Sequence, residues 1–138
     1  MTTETQILTQ GVHHIGLTVN DLLKTSKFFT ESLGFKKVGE KPDYPAHIVS
    51  DGQIVISLWQ VCNPVKAVNF DRKSNIGLHH FAIKLADVEM LEELHQKLKE
   101  TEGVGIEFSP EQLGNGSSQH MMITEPGGIR IEFIVPAN

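Results

Sequence analysis

The chain has 138 residues, of which 39% are hydrophobic and 21% are charged, and its formal net charge is -5. This length suits a single domain, here residues 1–138, and the residue balance excludes a disordered chain and a membrane-spanning one. The Lys and Arg residues are scattered, which argues against a nucleic-acid binder because neutralising phosphates requires clustered cations.

The first predicted strand is repeated later in the chain. Residues 11–22 have the sequence "GVHHIGLTVNDL", and residues 77–88 have the sequence "GLHHFAIKLADV". In this alignment His14 pairs with His80. An internal duplication is the simplest interpretation, and it predicts a module at 11–62 and a module at 77–135, joined by a polar linker at 63–76.

Each module is predicted to have the order βαβββ. The repeated strand ends at an Asp that is a good helix N-cap, at Asp21 and again at Asp87. A helix-period pattern follows each Asp, and Gly34 and Gly103 are predicted to end the helices. The remaining strands are predicted at Phe35–Val38, Ala46–Ser50, Gln53–Val61, Val104–Phe108, His120–Thr124 and Ile129–Val135.

The alternation of side chains assigns three candidate metal ligands to one face of the sheets. His14, His80 and Glu132 lie opposite the apolar residues of their strands, on a face that otherwise carries small side chains. Two neutral imidazoles and one carboxylate can hold a divalent cation with positions left open. If the halves pack about a pseudo-twofold axis, the two histidines approach each other.

The fourth symmetric position carries no metal ligand. Aligning Gly52 with Gly127 places Ser57 opposite Glu132, and serine is a poor ligand. The expected site therefore has three protein ligands.

These motifs resemble the vicinal oxygen chelate superfamily, which includes glyoxalase I, fosfomycin-resistance proteins, extradiol dioxygenases and bleomycin-resistance proteins. The resemblance covers about residues 11–135 and includes "EPGGIRIEF" at 125–133, which is similar to the family ending D-P-x-G-x-x-x-E-[LF]. It implies an α+β fold whose two modules form a cupped, barrel-like mixed sheet with helices outside. Members usually add Glu or Gln where Ser57 stands, and Asp where Glu125 stands.

The resemblance also implies a function. His14, His80 and Glu132 would hold Zn, Ni, Mn, Co or Fe, and Glu132 would be catalytic in a lyase or isomerase reaction on a small molecule, in a homodimer. An Fe(II) dioxygenase of the extradiol type and a metal-free binding protein of the bleomycin-resistance kind are the alternatives. The substrate pocket is expected to include Ser57, Trp59, His47, His120, Met122 and Arg130.

The expected location is the cytoplasm, without a membrane partner. The first ten residues, "MTTETQILTQ", lack the apolar stretch of a secretory signal, and no run approaches the roughly 20 apolar residues of a membrane span. The single cysteine, Cys62, has no partner for an internal disulfide, which fits a reducing compartment.

Overall fold

Two four-stranded sheets form the frame of the protein, and each carries one helix. The computed structural model describes residues 3–137. The first module contains β1 (His14–Val19), α1 (Leu22–Lys27), β2 (Lys36–Lys41), β3 (Ala46–Ser50) and β4 (Val55–Gln60). The second contains β5 (Phe81–Lys84), α2 (Val88–Lys99), β6 (Gly105–Gln112), β7 (Gln119–Thr124) and β8 (Arg130–Val135). A π-helical turn, Phe28–Ser32, continues α1.

The strand order is the same in both sheets. The first sheet has the order β1-β4-β3-β2 and the second β5-β8-β7-β6, with the first strand of each module parallel to the last. The predicted α+β fold of two βαβββ modules is thereby confirmed. Within residues 3–137 the sheets stay separate and do not close into a barrel, and β1 and β5 are both edge strands.

Two strands extend further than their alternation predicts. The strand predicted to end at Val38 continues to Lys41, and the one predicted to end at Phe108 continues to Gln112. Both contain shifts of register, as between Lys37 and Gly39. A bulge adds an unpaired residue and interrupts the period-two pattern, so the sequence pattern stops before the strand does.

The structure contains the caps that were predicted to begin and end the helices. The Asp21 carboxylate accepts a hydrogen bond from the Lys24 amide at 3.1 Å, and Asp87 accepts one from the Met90 amide at 2.8 Å. Gly34 has a φ angle of 79°, a left-handed conformation that glycine adopts without a steric penalty. Both N-cap predictions are therefore confirmed.

One hydrophobic core joins the modules. It includes residues of both sheets and both helices, among them Leu17, Phe29, Ile56, Leu91 and Phe133. The structure has no helix, within residues 3–137, that is long and apolar enough to cross a membrane. Helix α2 also buries His95, whose Nε2 atom has no hydrogen-bond partner among residues 3–137.

A buried polar contact fixes α1 of the first module against the β7–β8 turn of the second. The Thr25 hydroxyl donates to Glu125 Oε2 at 2.9 Å, and the Ile129 amide donates to Glu125 Oε1 at 3.1 Å. Thr25 and Glu125 are 0% and 1% exposed. Glutamate at position 125 therefore connects the two modules.

Candidate functional site

The second sheet brings two of the predicted metal ligands into contact. His80 directly precedes β5, and Glu132 lies in the neighbouring strand β8, where it pairs with Ala82. His80 Nε2 is 3.2 Å from Glu132 Oε1. The side chain of Glu132 is 12% exposed and that of His80 is 32% exposed, so the pair lies at a partly open surface.

The separation of these two atoms suits neighbouring ligands of one cation. Nitrogen and oxygen ligands lie about 2.0–2.2 Å from Zn²⁺, which places two adjacent ligand atoms about 2.8–3.6 Å apart for ligand–metal–ligand angles of about 90–110°. The 3.2 Å between His80 Nε2 and Glu132 Oε1 falls in this range. The donor chemistry and the spacing of this pair therefore fit a divalent metal.

A single chain does not place the third predicted ligand with them. His14 stands exposed at the start of β1, in the other sheet, where its Nδ1 atom lies 2.9 Å from His13 Nδ1. In the part of the chain that the structure describes, no three His, Cys, Asp or Glu side chains are grouped to hold a metal.

Each candidate histidine is oriented by the histidine before it. His79 Nδ1 lies 2.7 Å from His80 Nδ1, as His13 does with His14, and the Arg130 guanidinium donates to the same His79 atom at 3.0 Å. A guanidinium only donates, so the single lone pair of His79 Nδ1 accepts from Arg130. A cation bound at His80 would use the lone pair of Nε2, the atom that faces Glu132 Oε1.

The sequence interpretation missed the role of the first histidine of each doublet. The signal was present, because "HH" occurs at the same place in both copies of the repeat. Loss of solvation and, after it, the charge of Arg130 lower the pKa of His79 below its ordinary value. Both effects favour the neutral ring that the hydrogen bonds require.

Arg130, predicted to line the substrate pocket, is bound in an ion-pair cluster. It donates through Nη2 to Glu107 Oε2 at 2.6 Å, and Arg72 of the linker donates to Glu107 Oε1 at 2.8 Å. The Arg130 side chain is 12% exposed. Glu107 thus binds both Arg72 of the linker and Arg130, which contacts His79. These contacts join residues far apart in the sequence, so no local pattern predicts them.

This cluster predicts an acid-dependent loss of stability. The hydrogen bond from Arg130 lowers the pKa of Glu107 from its ordinary value of 4.5. A depressed carboxyl pKa stabilises the folded state above the unfolded value and loses that contribution as the pH falls through the folded value. Glu107→Gln is expected to reduce the free energy of unfolding at pH 7 by about 1 kcal/mol, which lowers the Tm by a few degrees.

The test is thermal unfolding of both proteins between pH 7 and pH 3. The difference in Tm between wild type and Glu107→Gln should stay constant down to about pH 5 and shrink below it. A difference that grows on acidification would show that Glu107 is not stabilised as an anion.

The first sheet carries Ser57 and Trp59 on the face of His14. Ser57 is 7% exposed, and its hydroxyl accepts a hydrogen bond from Trp59 Nε1 at 3.0 Å. The Trp59 ring packs edge-on against Tyr44, with centroids 5.0 Å apart, and Lys41 Nζ lies 5.5 Å from its centroid. Ser57 is therefore already engaged by a neighbouring side chain.

The other predicted pocket residues lie in two different places. His120 and Met122 are buried on β7, and Met122 pairs with Glu132. His47 contacts the Ser26 hydroxyl at 2.8 Å on the helix side of its sheet. It lines a groove of about 1530 Å³ between the modules, which the linker borders and to which Arg130 also contributes.

Comparison with known proteins assigns the chain to one family. The model of the Glyoxalase/Bleomycin resistance protein/Dioxygenase superfamily matches residues 11–133. Over 123 residues the chain is 27% identical to the uncharacterised protein YwkD of Bacillus subtilis, covering 78% of this chain and 94% of that one. It is 32% identical over 123 residues to catechol-2,3-dioxygenase of Bacillus subtilis, covering 87% of this chain and 40% of the dioxygenase.

One further relative and one solved structure are also similar to this chain. A 2-epi-5-epi-valiolone epimerase from Actinomyces sp. is 27% identical over 146 residues, covering 90% of this chain and 78% of the epimerase. The crystal structure of a glyoxylase/bleomycin resistance protein/dioxygenase domain from Frankia sp. EAN1pec superposes with a TM-score of 0.79 at 21% identity, covering 94% of both chains. The structural match concerns the fold alone.

Proposed function

The chain belongs to the Glyoxalase/Bleomycin resistance protein/Dioxygenase superfamily, and from that premise we propose that it is a metal-dependent lyase or isomerase. Its substrate would be a small molecule that offers two neighbouring oxygen atoms. The observation that carries the proposal is the contact between His80 Nε2 and Glu132 Oε1 at 3.2 Å. The epimerase relative supports an isomerase reaction.

We propose that a second copy of the chain completes the ligand set. His80 and Glu132 would come from one subunit and the third ligand would be His14 of the partner subunit. This arrangement is supported by the exposure of His14 and by the position of β1 and β5 as unpaired sheet edges within residues 3–137. An exposed edge presents unpaired backbone N–H and C=O groups with which another chain can pair.

Apolar side chains beside these edges support the same arrangement. Ile7, Leu8 and Val12 precede β1 and are 78–84% exposed, and Ile76 and Leu78, which precede β5, are also exposed. Apolar groups concentrated at one place on a surface mark an interaction site. A homodimer that covers both segments would bury them and bring the two halves of the site together.

The residues of the chain have separate roles in this proposal. A bound cation would supply positive charge next to two neighbouring substrate oxygens. Glu132 would be the oxygen ligand of that cation and therefore a carboxylate close to the bound substrate oxygens, which keeps it as the proposed catalytic residue. Met122, its neighbour in register on β7, would give the substrate an apolar contact, and so would Trp59, which shares the face of His14 and would come with it from the partner subunit.

A dioxygenase is the second candidate, and the state of Ser57 favours it. Because serine is a poor metal ligand and the Ser57 hydroxyl accepts a hydrogen bond from Trp59 Nε1, the site would keep two histidines and one carboxylate, the set typical of non-haem Fe(II) oxygenases. The 32% identity to catechol-2,3-dioxygenase points the same way, although the chain spans only 40% of that protein.

Metal analysis of protein purified without chelators tests the proposal. Bound Zn, Ni, Mn or Co, with exchange of a substrate C–H proton into solvent, would support the lyase or isomerase. Bound Fe(II) with consumption of oxygen would support the dioxygenase instead. Protein that takes up none of these metals would contradict both and favour a small-molecule binding protein.

A further inference from the structure

A third side chain, His120, contacts the candidate metal-binding carboxylate. We propose that His120 is a positioning residue for Glu132. It donates from Nδ1 to Glu132 Oε2 at 2.6 Å, while Oε1 of the same carboxylate faces His80. The inference rests on the proposed metal site and adds a residue to it, because it assigns each carboxylate oxygen a different task.

The short distance between His120 and Glu132 is that of a hydrogen bond and is shorter than the spacing of two neighbouring metal ligands. Two adjacent ligand atoms on one cation are about 2.8–3.6 Å apart, whereas His120 Nδ1 and Glu132 Oε2 are separated by 2.6 Å. That value belongs to a charge-assisted hydrogen bond. An ionised carboxylate only accepts, so the proton lies on His120 Nδ1.

His120 is itself held in place on both sides. Its ring packs against Phe108 with centroids 4.8 Å apart, and its Nε2 lies 3.8 Å from Glu111 Oε1. The side chains of His120 and Glu132 are 11% and 12% exposed. Packing of this kind fixes the imidazole before a metal arrives, so little rotamer entropy is lost on binding.

The hydrogen bond from His120 limits the number of coordination positions that Glu132 can fill on a cation. With Oε2 held by His120, the carboxylate offers a single oxygen, Oε1, toward His80 Nε2. A carboxylate free to turn could use both oxygens and fill a position that substrate needs. Partners that fix a ligand in this way typically change metal affinity by about 10-fold to 100-fold.

The test compares two substitutions of similar size. His120→Leu removes the donor, whereas His120→Asn places an amide nitrogen the same number of bonds from the backbone as Nδ1. His95→Leu on α2 is the matched control, because it also removes a buried histidine but lies outside the site. Co²⁺ affinity and visible absorption are measured for each dimer, with Tm as the check on folding.

We expect His120→Leu to weaken Co²⁺ binding about 10-fold to 100-fold and to change the visible spectrum. His120→Asn should restore affinity to within about threefold, and His95→Leu should bind like wild type. Wild-type affinity in His120→Leu would overturn the positioning role alone. Failure of wild type to bind Co²⁺ would instead overturn the proposed function.

A measurement without metal keeps the inference testable in that second case. Nitrogen-15 NMR of histidine side chains in the metal-free protein should show His120 as the Nδ1–H form. His120→Asn should leave the other histidine signals unchanged. An Nε2–H form of His120 would overturn the proposed hydrogen bond whatever the metal content.

Discussion

Replacement of His80 by alanine is expected to lower divalent-metal affinity by at least about 100-fold. Structural zinc sites with four ligands contribute about 10–16 kcal/mol, so one ligand is worth about 3 kcal/mol, or two factors of ten. The fold should survive, because His80 precedes β5 and its side chain is 32% exposed. Titration calorimetry with Ni²⁺ or Zn²⁺ measures the affinity, and circular dichroism checks the fold.

The matched control for this prediction lies on the same edge strand. Lys84 is exposed on the same face of β5, so Lys84→Ala removes a long side chain without removing a proposed ligand. It should bind metal like wild type. Stoichiometric metal in the His80→Ala protein at wild-type affinity would contradict the assignment of His80.

Replacement of Glu125 by alanine is expected to give the largest loss of stability, about 3 kcal/mol, and to lower the Tm by roughly 10 °C. The substitution removes two hydrogen bonds, leaves the Thr25 hydroxyl buried without its acceptor, and opens a cavity between the modules. Removing one partner of a buried polar pair costs about 1–3 kcal/mol, and the cavity adds to it. Thermal and urea unfolding measure the change.

Two variants define what the contact contributes. Glu125→Gln keeps one acceptor oxygen, which can serve either Thr25 or the Ile129 amide, and should therefore lose less stability than Glu125→Ala. Glu92→Ala removes an exposed glutamate of α2 and should change the free energy of unfolding by less than about 0.5 kcal/mol. If Glu125→Ala unfolds like Glu92→Ala, the contact does not hold the modules together.

The repeat made most of the architecture predictable. Matching segments at 11–22 and 77–88 gave the two modules, and the alternation within each strand separated Leu17 and Ile83 in the core from the exposed face of His14. These features depend on residues close in sequence. Their physical causes are side-chain periodicity and helix capping, which act locally.

The relative placement of the modules was not predictable in the same way. The repeat suggested that His14 and His80 meet, but their separation depends on the shared core and on the contact of Thr25 with Glu125. Those interactions join residues about 100 positions apart, and no local pattern specifies them. The repeat shows which positions of the two modules are equivalent. It does not show whether the two modules that face each other belong to one chain or to two.

The partners of individual side chains were equally hidden. Arg130 was expected in the substrate pocket, yet Glu107 on β6 and the His79 ring bind it. His120 stands in the apolar run "QHMMIT" without a sign that it contacts Glu132 across the sheet. Cross-strand neighbours follow from the register of β7 and β8, which the structure gives and the sequence does not.

The pairing of subunits is tested most directly by dimers built from two defective chains. His14→Ala and His80→Ala chains with different tags are co-expressed, and dimers carrying both tags are purified. If each site takes His14 from one chain and His80 with Glu132 from the other, a mixed dimer has one complete site and one lacking both histidines. It should bind about one cation, where the wild-type dimer binds about two and each parent dimer binds almost none. Mixed dimers that bind no more metal than the parent dimers would contradict a site shared between subunits.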